Sequence, residues 1–254
     1  MTQTLEGTVA LVTGASSGIG DAAARALAQR GAAVAVVARR HDRLDALAKE
    51  IGAAGGTALA IEADITDQAQ AEAAVAQTVA ELGRLDTLVN NAGVMLLGPA
   101  VGAPLDEWRR MIDINVLGLL YCAHAALPHL LQAAEQAPRE VADMVNISSV
   151  AGRVARNGSG VYNLTKHGVG ALSESLRQEV ARRHVRVSLV EPGAVTTELA
   201  GHNRPEILQQ MAQRFAGVER MLPDDIADAI AYIVTRPRHV AINEMLVRPT
   251  EQEG

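Results

Sequence analysis

The chain has 254 residues, 48% of them apolar, enough to fill one large α/β core. Its formal net charge of −6 and pI near 5.7 argue against a sequence-independent grip on nucleic acid or an anionic membrane, since either needs a basic face. One cysteine, Cys122, excludes an intrachain disulfide or a cysteine-based zinc cluster; no apolar run approaches the roughly 20 residues of a membrane span, and "MTQTLEG" lacks an export signal's basic head, so a cytoplasmic protein with small-molecule partners and no metal is expected.

Short β-branched runs alternate with stretches of helical spacing, the βαβ pattern of a parallel sheet covered on both faces. In chain order the spacing predicts strands at 8–13, 33–38, 57–62, 87–90, 144–148, 185–191 and 243–248. Helices are expected at about 18–29, 41–54, 67–82, 106–136, 160–183 and 224–235. The third is the clearest: Ala71, Val75, Val79 and Leu82 share a stripe, and Asp67 with Gln70 can form a capping box. No composition shift or linker divides the chain. The fold class expected is therefore a single-domain, doubly wound, Rossmann-like parallel sheet of about seven strands spanning 1–254.

The first strand runs into "TGASSGIG", Thr13 to Gly20, and then into an alanine-rich helix. A glycine-rich turn there brings backbone N–H groups, and the positive end of the helix dipole, to a pyrophosphate. About 20 residues further on, such a site chooses between ribose hydroxyls and a 2′-phosphate, and the chain has Arg39 and Arg40 at that point. Guanidinium forks match phosphate oxygens, so NADP(H) is expected over NAD(H), with help from Ser16 and Ser17. A second oddity lies in "VYNLTKHG". The chain has only two lysines against 21 arginines, and one of them, Lys166, stands four residues after Tyr162. Lysine at this place is specified by chemistry rather than by charge alone.

Together, "TGASSGIG", "NNAG" (90–93), Asn115 in "IDINVLG", Ser149 in "NISSVAG", Tyr162 and Lys166 in "YNLTK", and "PGAVTT" (192–197) resemble the short-chain dehydrogenase/reductase family, in order over nearly the whole chain. "VMLLGP", "AALPHLL", "LRQEV" and "MLVRPT" are most similar to an NADP-dependent single-domain branch that includes clavaldehyde reductase, also called clavulanic acid dehydrogenase. The resemblance implies a hydride exchanged between nicotinamide and a ketone, aldehyde or alcohol, with Tyr162 as proton donor or acceptor. A free phenol titrates near about 10, so a fixed cation beside it, Lys166, would favour the phenolate. Ser149, with Ser148 as fallback, would bond the substrate oxygen, and Asn115 would hold a water joining Lys166 to solvent. The resemblance further implies cofactor contacts from Gly14, Ser16, Ser17, Gly18, Ile19 and Gly20; from Arg39, Arg40, Asp64 and Ile65; from Asn91, Gly93, Tyr162 and Lys166; and from Val195 and Thr197.

The family places a substrate lid at about 197–222. Lining from Met95, Leu96, Val150, Ala151, Met211 and Phe215 would suit a mostly apolar small carbonyl or alcohol substrate, unless Arg153 or Arg156 faces the cleft and anchors a carboxylate. Apolar residues on more than one face of the helices at 106–136 and 160–183 suggest a homo-oligomer, a tetramer or, as the alternative, a dimer. The segment 130–144 is longer than expected and reads as a surface extension of its helix. A non-catalytic dinucleotide-binding regulator or scaffold of the same fold is the alternative, against which the intact Asn115, Ser149, Tyr162 and Lys166 set counts.

Overall fold

A computed structural model describes residues 4–253. Seven strands, β1 (Val9–Thr13), β2 (Ala33–Ala38), β3 (Thr57–Glu62), β4 (Thr87–Asn90), β5 (Ala142–Ile147), β6 (Val185–Pro192) and β7 (Glu244–Val247), form one sheet in the order 3-2-1-4-5-6-7, every pair parallel. The strand order reverses between β1 and β4, and a crevice must open there at the carboxyl ends of the strands.

Both sheet faces are buried, as all-parallel sheets require. Val12, Val34 and Val36 point to one side, against α1 (Gly18–Ala28), α2 (His41–Ala53) and α8 (Pro223–Val234). Leu11, Ala35 and Val37 point to the other, against α3 (Gln68–Leu82) and α5 (Leu119–Ala134). The α3 capping box forms only in part: the Asp67 carboxylate accepts from Gln70 N–H at 3.1 Å, but the Gln70 carbonyl accepts from Asp64 N–H, pinning the loop after β3 instead.

The helix expected at 106–136 is a composite rod. α4 (Leu105–Ile112) leads into a π-helical turn (Asp113–Gly118) and then α5, which ends at Ala134. By length and composition Leu105–Ala134 could cross a membrane, contrary to expectation, with mean hydropathy 1.5 in its most apolar window. Within the fold its inner side packs on α3, β4 and β5, which is what makes a core helix this apolar. The surplus at 130–144 is not a helical extension: 135–141 is a loop, and β5 starts two residues earlier than expected because Ala142 and Asp143 pair with Val185 and Arg186. α6 (Gly160–Val180) follows. One further helix, α7 (Pro205–Arg214), lies inside the expected lid; Pro205 opens it at a position where a missing N–H costs nothing.

Candidate active site

A cavity of about 470 Å³ opens at the carboxyl ends of the strands. It is lined by Gly14, Ser16, Ser17, Gly18 and Ile19, by Arg39, Arg40, Asp64 and Ile65, by Asn91 and Gly93, by Ser149, Tyr162 and Lys166, and by Val195 and Thr197. Two of the expected site residues, Gly20 and Asn115, support the wall from behind.

The floor at one end is the turn after β1. Gly14 has φ of +66°, and a Cβ there would lie 2.7 Å from Ala92 Cα; one on Gly20 would lie 2.5 Å from the Gly14 carbonyl oxygen. Asn91 donates from its side chain to the carbonyls of Thr13 (2.9 Å) and Gly14 (3.3 Å), and its N–H donates to Thr13 Oγ1 (3.1 Å). The Asn91 amide, expected among the cofactor contacts, clamps the glycine turn to the end of β4. The result is a tight, backbone-lined cradle at the start of α1, a shape that fits a phosphate group.

The two arginines differ. Arg40 donates to Ser16 Oγ (3.0 and 2.9 Å) and Ser17 Oγ (2.8 Å) and pairs with Glu198 at 2.8 Å. Arg43 grips the other Glu198 oxygen at 2.7 Å, and the two guanidiniums hold that carboxyl down at about 2. Arg39 is the freer side chain, 60% exposed and only 3.9 Å from Asp64. The edge of the cavity that would receive a 2′-phosphate is therefore bridged by a carboxylate, Glu198, from the segment after β6.

The groups expected to handle the proton come from α6 and from the turn after β5. Tyr162 and Lys166 share the inner face of α6, as four-residue spacing requires, and both are buried, with Lys166 Nζ 5.8 Å from the phenol ring centre. Lys166 donates to the Ile147 carbonyl at 2.8 Å, at the end of β5. The phenol that Lys166 was expected to lower is raised instead. Burial pushes Tyr162 up to about 12, opposed only by a hydrogen bond with Ser149, and brings Lys166 down to about 8. Desolvation wins because the ammonium is directed at a carbonyl rather than at the phenol oxygen.

Of the adjacent serines, Ser148 is turned inward, its hydroxyl donating to the Lys166 carbonyl at 3.0 Å, whereas Ser149 is half-buried and accepts from Ala151 N–H. Asn115 sits in the π turn and pairs with the Val94 backbone in both senses, accepting at 2.8 Å and donating at 2.9 Å. It also donates to Thr165 Oγ1, which donates to the Tyr162 carbonyl. Its amide is satisfied by protein rather than exposed to hold a water, and the π turn lets it reach the backbone after β4.

Two residues with structural parts were missed. Asn163 donates to the Ala151 and Val154 carbonyls, both at 2.9 Å, and so fastens the loop after β5 to α6. Asn203, buried, donates to Met95 O and accepts from Leu97 N–H, anchoring the expected lid to the loop after β4. An asparagine beside Tyr162 and one just before "RPE" were the available signals. Leu97, not Leu96, lines the cavity; Leu96 is packed among Val94, Met111 and Tyr162. Met95, Val150, Ala151, Met211 and Phe215 line it as expected. Arg153 does not: it is tied to Glu191 and Glu244. Arg156 does.

Residues 8–208 match the family model described as short chain dehydrogenase. The chain is similar to glycine betaine reductase of Emericella nidulans, 39% identical over 98% of this chain but only 19% of that much longer protein, and to an uncharacterized oxidoreductase of Staphylococcus saprophyticus, 35% identical over 96% of each. Among solved structures it is similar to the closed form of serine dehydrogenase complexed with NADP+ (TM-score 0.88, 32% identical, 97% of each chain). It is also similar to a metagenomic short-chain oxidoreductase in complex with NADP (TM-score 0.80, 35% identical, 98% of this chain and 99% of that one). The chain belongs to the short-chain dehydrogenase/reductase family.

Proposed function

We propose that this protein is an NADP(H)-dependent oxidoreductase that reduces a small ketone or aldehyde, or oxidises the matching alcohol. The observation that carries the reading is the opening of Ser149, Tyr162 and Lys166 onto the same cavity as the glycine cradle of Gly14, Ser16 and Ser17. The cofactor, when bound, donates or accepts the hydride. Ser149 orients the substrate oxygen by hydrogen bonding. The Tyr162 phenol, kept protonated by burial, is in its donor form for reduction and must first lose that proton for oxidation. Lys166, its Nζ 5.8 Å from the ring centre, supplies a positive charge beside the phenol as the proton leaves, and Asn115 with Thr165 positions α6 against the loop after β4.

NADP(H) is favoured by the freedom of Arg39 and by the Arg40, Ser16 and Ser17 cluster, in line with the NADP held by two similar structures. The segment 197–222, containing α7, serves as the substrate lid. We further read the protein as a cytosolic homo-oligomer: Leu120, Leu127 and Leu131 on α5 are only half-buried, and Leu164 on α6 is 62% exposed. The clavaldehyde-reductase-like branch is the subtype we favour, on the four stretches quoted above. The test is NADPH oxidation followed by absorbance with a panel of aldehydes and ketones, NADH run in parallel. No turnover with any member would remove the reading.

A further inference from the structure

The cavity wall beyond Ser149 and Tyr162 mixes apolar groups with three guanidiniums, those of Arg156, Arg214 and Arg220. Among the described residues none of the three is engaged by a carboxylate. Arg214 and Arg220 lie over the Phe215 ring, at 5.8 and 5.7 Å from its centre, and Arg156 makes no side-chain hydrogen bond. By contrast, three residues earlier Arg153 is paired with Glu191 and Glu244, and at the β2–α2 edge Arg40 and Arg43 share Glu198. The two carboxylates that line the cavity, Asp64 and Glu198, are near arginines of the β2–α2 edge, Arg39 in one case and Arg40 and Arg43 in the other.

Arg156 is also the one of the three whose place relative to the phenol is built in. Asn163, next to Tyr162, accepts from the Arg156 N–H at 3.5 Å and donates to the Ala151 and Val154 carbonyls. The Gly158 carbonyl accepts from Gly98 N–H at 2.8 Å, fixing the far side of the same loop. Arg156 is half-buried on this loop, whereas Arg214 and Arg220 are exposed and belong to the lid segment. A partly desolvated guanidinium on a loop whose backbone is tied to the residue beside Tyr162, with no counter-ion among the described residues, is suited to a planar anion.

We propose that the substrate half of the cavity is a carboxylate site and that the substrate is a small carbonyl compound bearing a carboxylate, or the matching hydroxy acid, held by Arg156. This rests on the carbonyl-reductase reading above. Arg214 and Arg220 add positive potential as part of the lid, and the apolar residues pack the carbon chain between carboxylate and carbonyl.

The test compares kcat/KM for acetoacetate with that for methyl acetoacetate, whose carbonyl is at least as electrophilic, in wild type, Arg156→Ala, Arg156→Glu and Arg214→Ala. The expected result is a wild-type preference for the acid of about 10- to 100-fold, the range of a charge-assisted pair. Arg156→Ala should erase that preference, Arg156→Glu reverse it, Arg214→Ala lower it by about threefold or less, and added salt weaken it. A flat wild-type ratio with good turnover of the ester would overturn the carboxylate site and leave the carbonyl-reductase reading standing. Loss of preference in Arg214→Ala but not in Arg156→Ala would overturn the assignment to Arg156. If neither compound is turned over, the general reading is decided by the wider carbonyl panel, and the carboxylate site by calorimetric titration of the NADP+-bound protein with butyrate and with butyramide. Binding of butyrate alone, abolished in Arg156→Ala, upholds it; equal binding or none refutes it.

Discussion

At the amino ends of β4, β5 and β6 the charged side chains are buried and satisfied by the chain itself, while at the carboxyl ends of the same sheet, the Glu191–Arg153 pair apart, several are left open to a cavity. Asp86 accepts from the Val9 N–H and pairs with Arg84 at 2.7 Å. Asp143 is held by Arg186 at 2.7 Å and Arg139 at 3.0 Å, and Arg186 spends its remaining donors on carbonyls at the end of α8, including Val234 and Val240. At the other end Arg39 and Arg156 have no comparable partner, and Tyr162 and Lys166 are buried without forming an ion pair. The lesson is that an unsatisfied charge is tolerable only where a ligand can reach it. The closed end contributes rigidity, and the open end retains the capacity to bind and to move protons.

The largest expected effect breaks the open end. Tyr162→Phe should lower kcat by about 10²- to 10⁴-fold, the usual worth of a general acid or base, with NADPH affinity by fluorescence titration changed less than about threefold. Lys166→Arg should lose most activity despite keeping its charge, since the wider fork cannot take the place of an ammonium donating to the Ile147 carbonyl. Near wild-type turnover in either variant would refute the assignment.

Breaking the closed end should destabilise without touching chemistry. Asp143→Ala leaves Arg186 buried beside an uncompensated cavity and should cost about 3–5 kcal/mol in a denaturant titration, with KM for NADPH preserved in the remaining folded fraction. A loss under about 1 kcal/mol would show that Arg186 is held adequately by the α8 carbonyls alone.

At the cofactor edge smaller changes are expected. Arg39→Asp should reduce the NADP over NAD preference by about one to two decades, read from dissociation constants of both cofactors. Glu198→Gln should act oppositely, tightening NADP by a few-fold, because Arg40 and Arg43 would no longer be shared with a carboxylate held near about 2. Unchanged NADP affinity would mean that the clasp does not compete with the 2′-phosphate.

The pH dependence sharpens the same contrast. A phenol raised to about 12 gains phenolate as pH rises toward that value, so alcohol oxidation should increase steadily from pH 7 to 10, while reduction, which uses the protonated phenol, should not increase. Parallel initial-rate profiles in the two directions check it; an oxidation rate that falls over that range would contradict the proton role of Tyr162. Light scattering at micromolar concentration tests assembly, and a 26.7 kDa species would reject the oligomer.

Much of this molecule was legible in its residues, because alternation along strands and a fixed glycine spacing are local rules. All seven strands and the glycine turn follow from runs such as "TVALVT" and "TGASSGIG", and Tyr162 and Lys166 face together because a helix places i and i+4 side by side. What the tertiary structure alone decided depends on groups far apart in the chain. The π turn at Asn115 exists because its amide meets the Val94 backbone, 21 residues away, and Arg40 differs from its neighbour Arg39 because Glu198, 158 residues on, pairs with it. The resemblance alone ranks Ser149 above Ser148, and the fold separates them physically because Ser148 is the one that meets the Lys166 carbonyl. Likewise, Arg153 and Arg156 carry the same charge in the same loop, and only the presence of Glu191 on β6 beside the first leaves the second available to the cavity. Local propensity fixes where a side chain starts; long-range pairing determines whether its charge is already used.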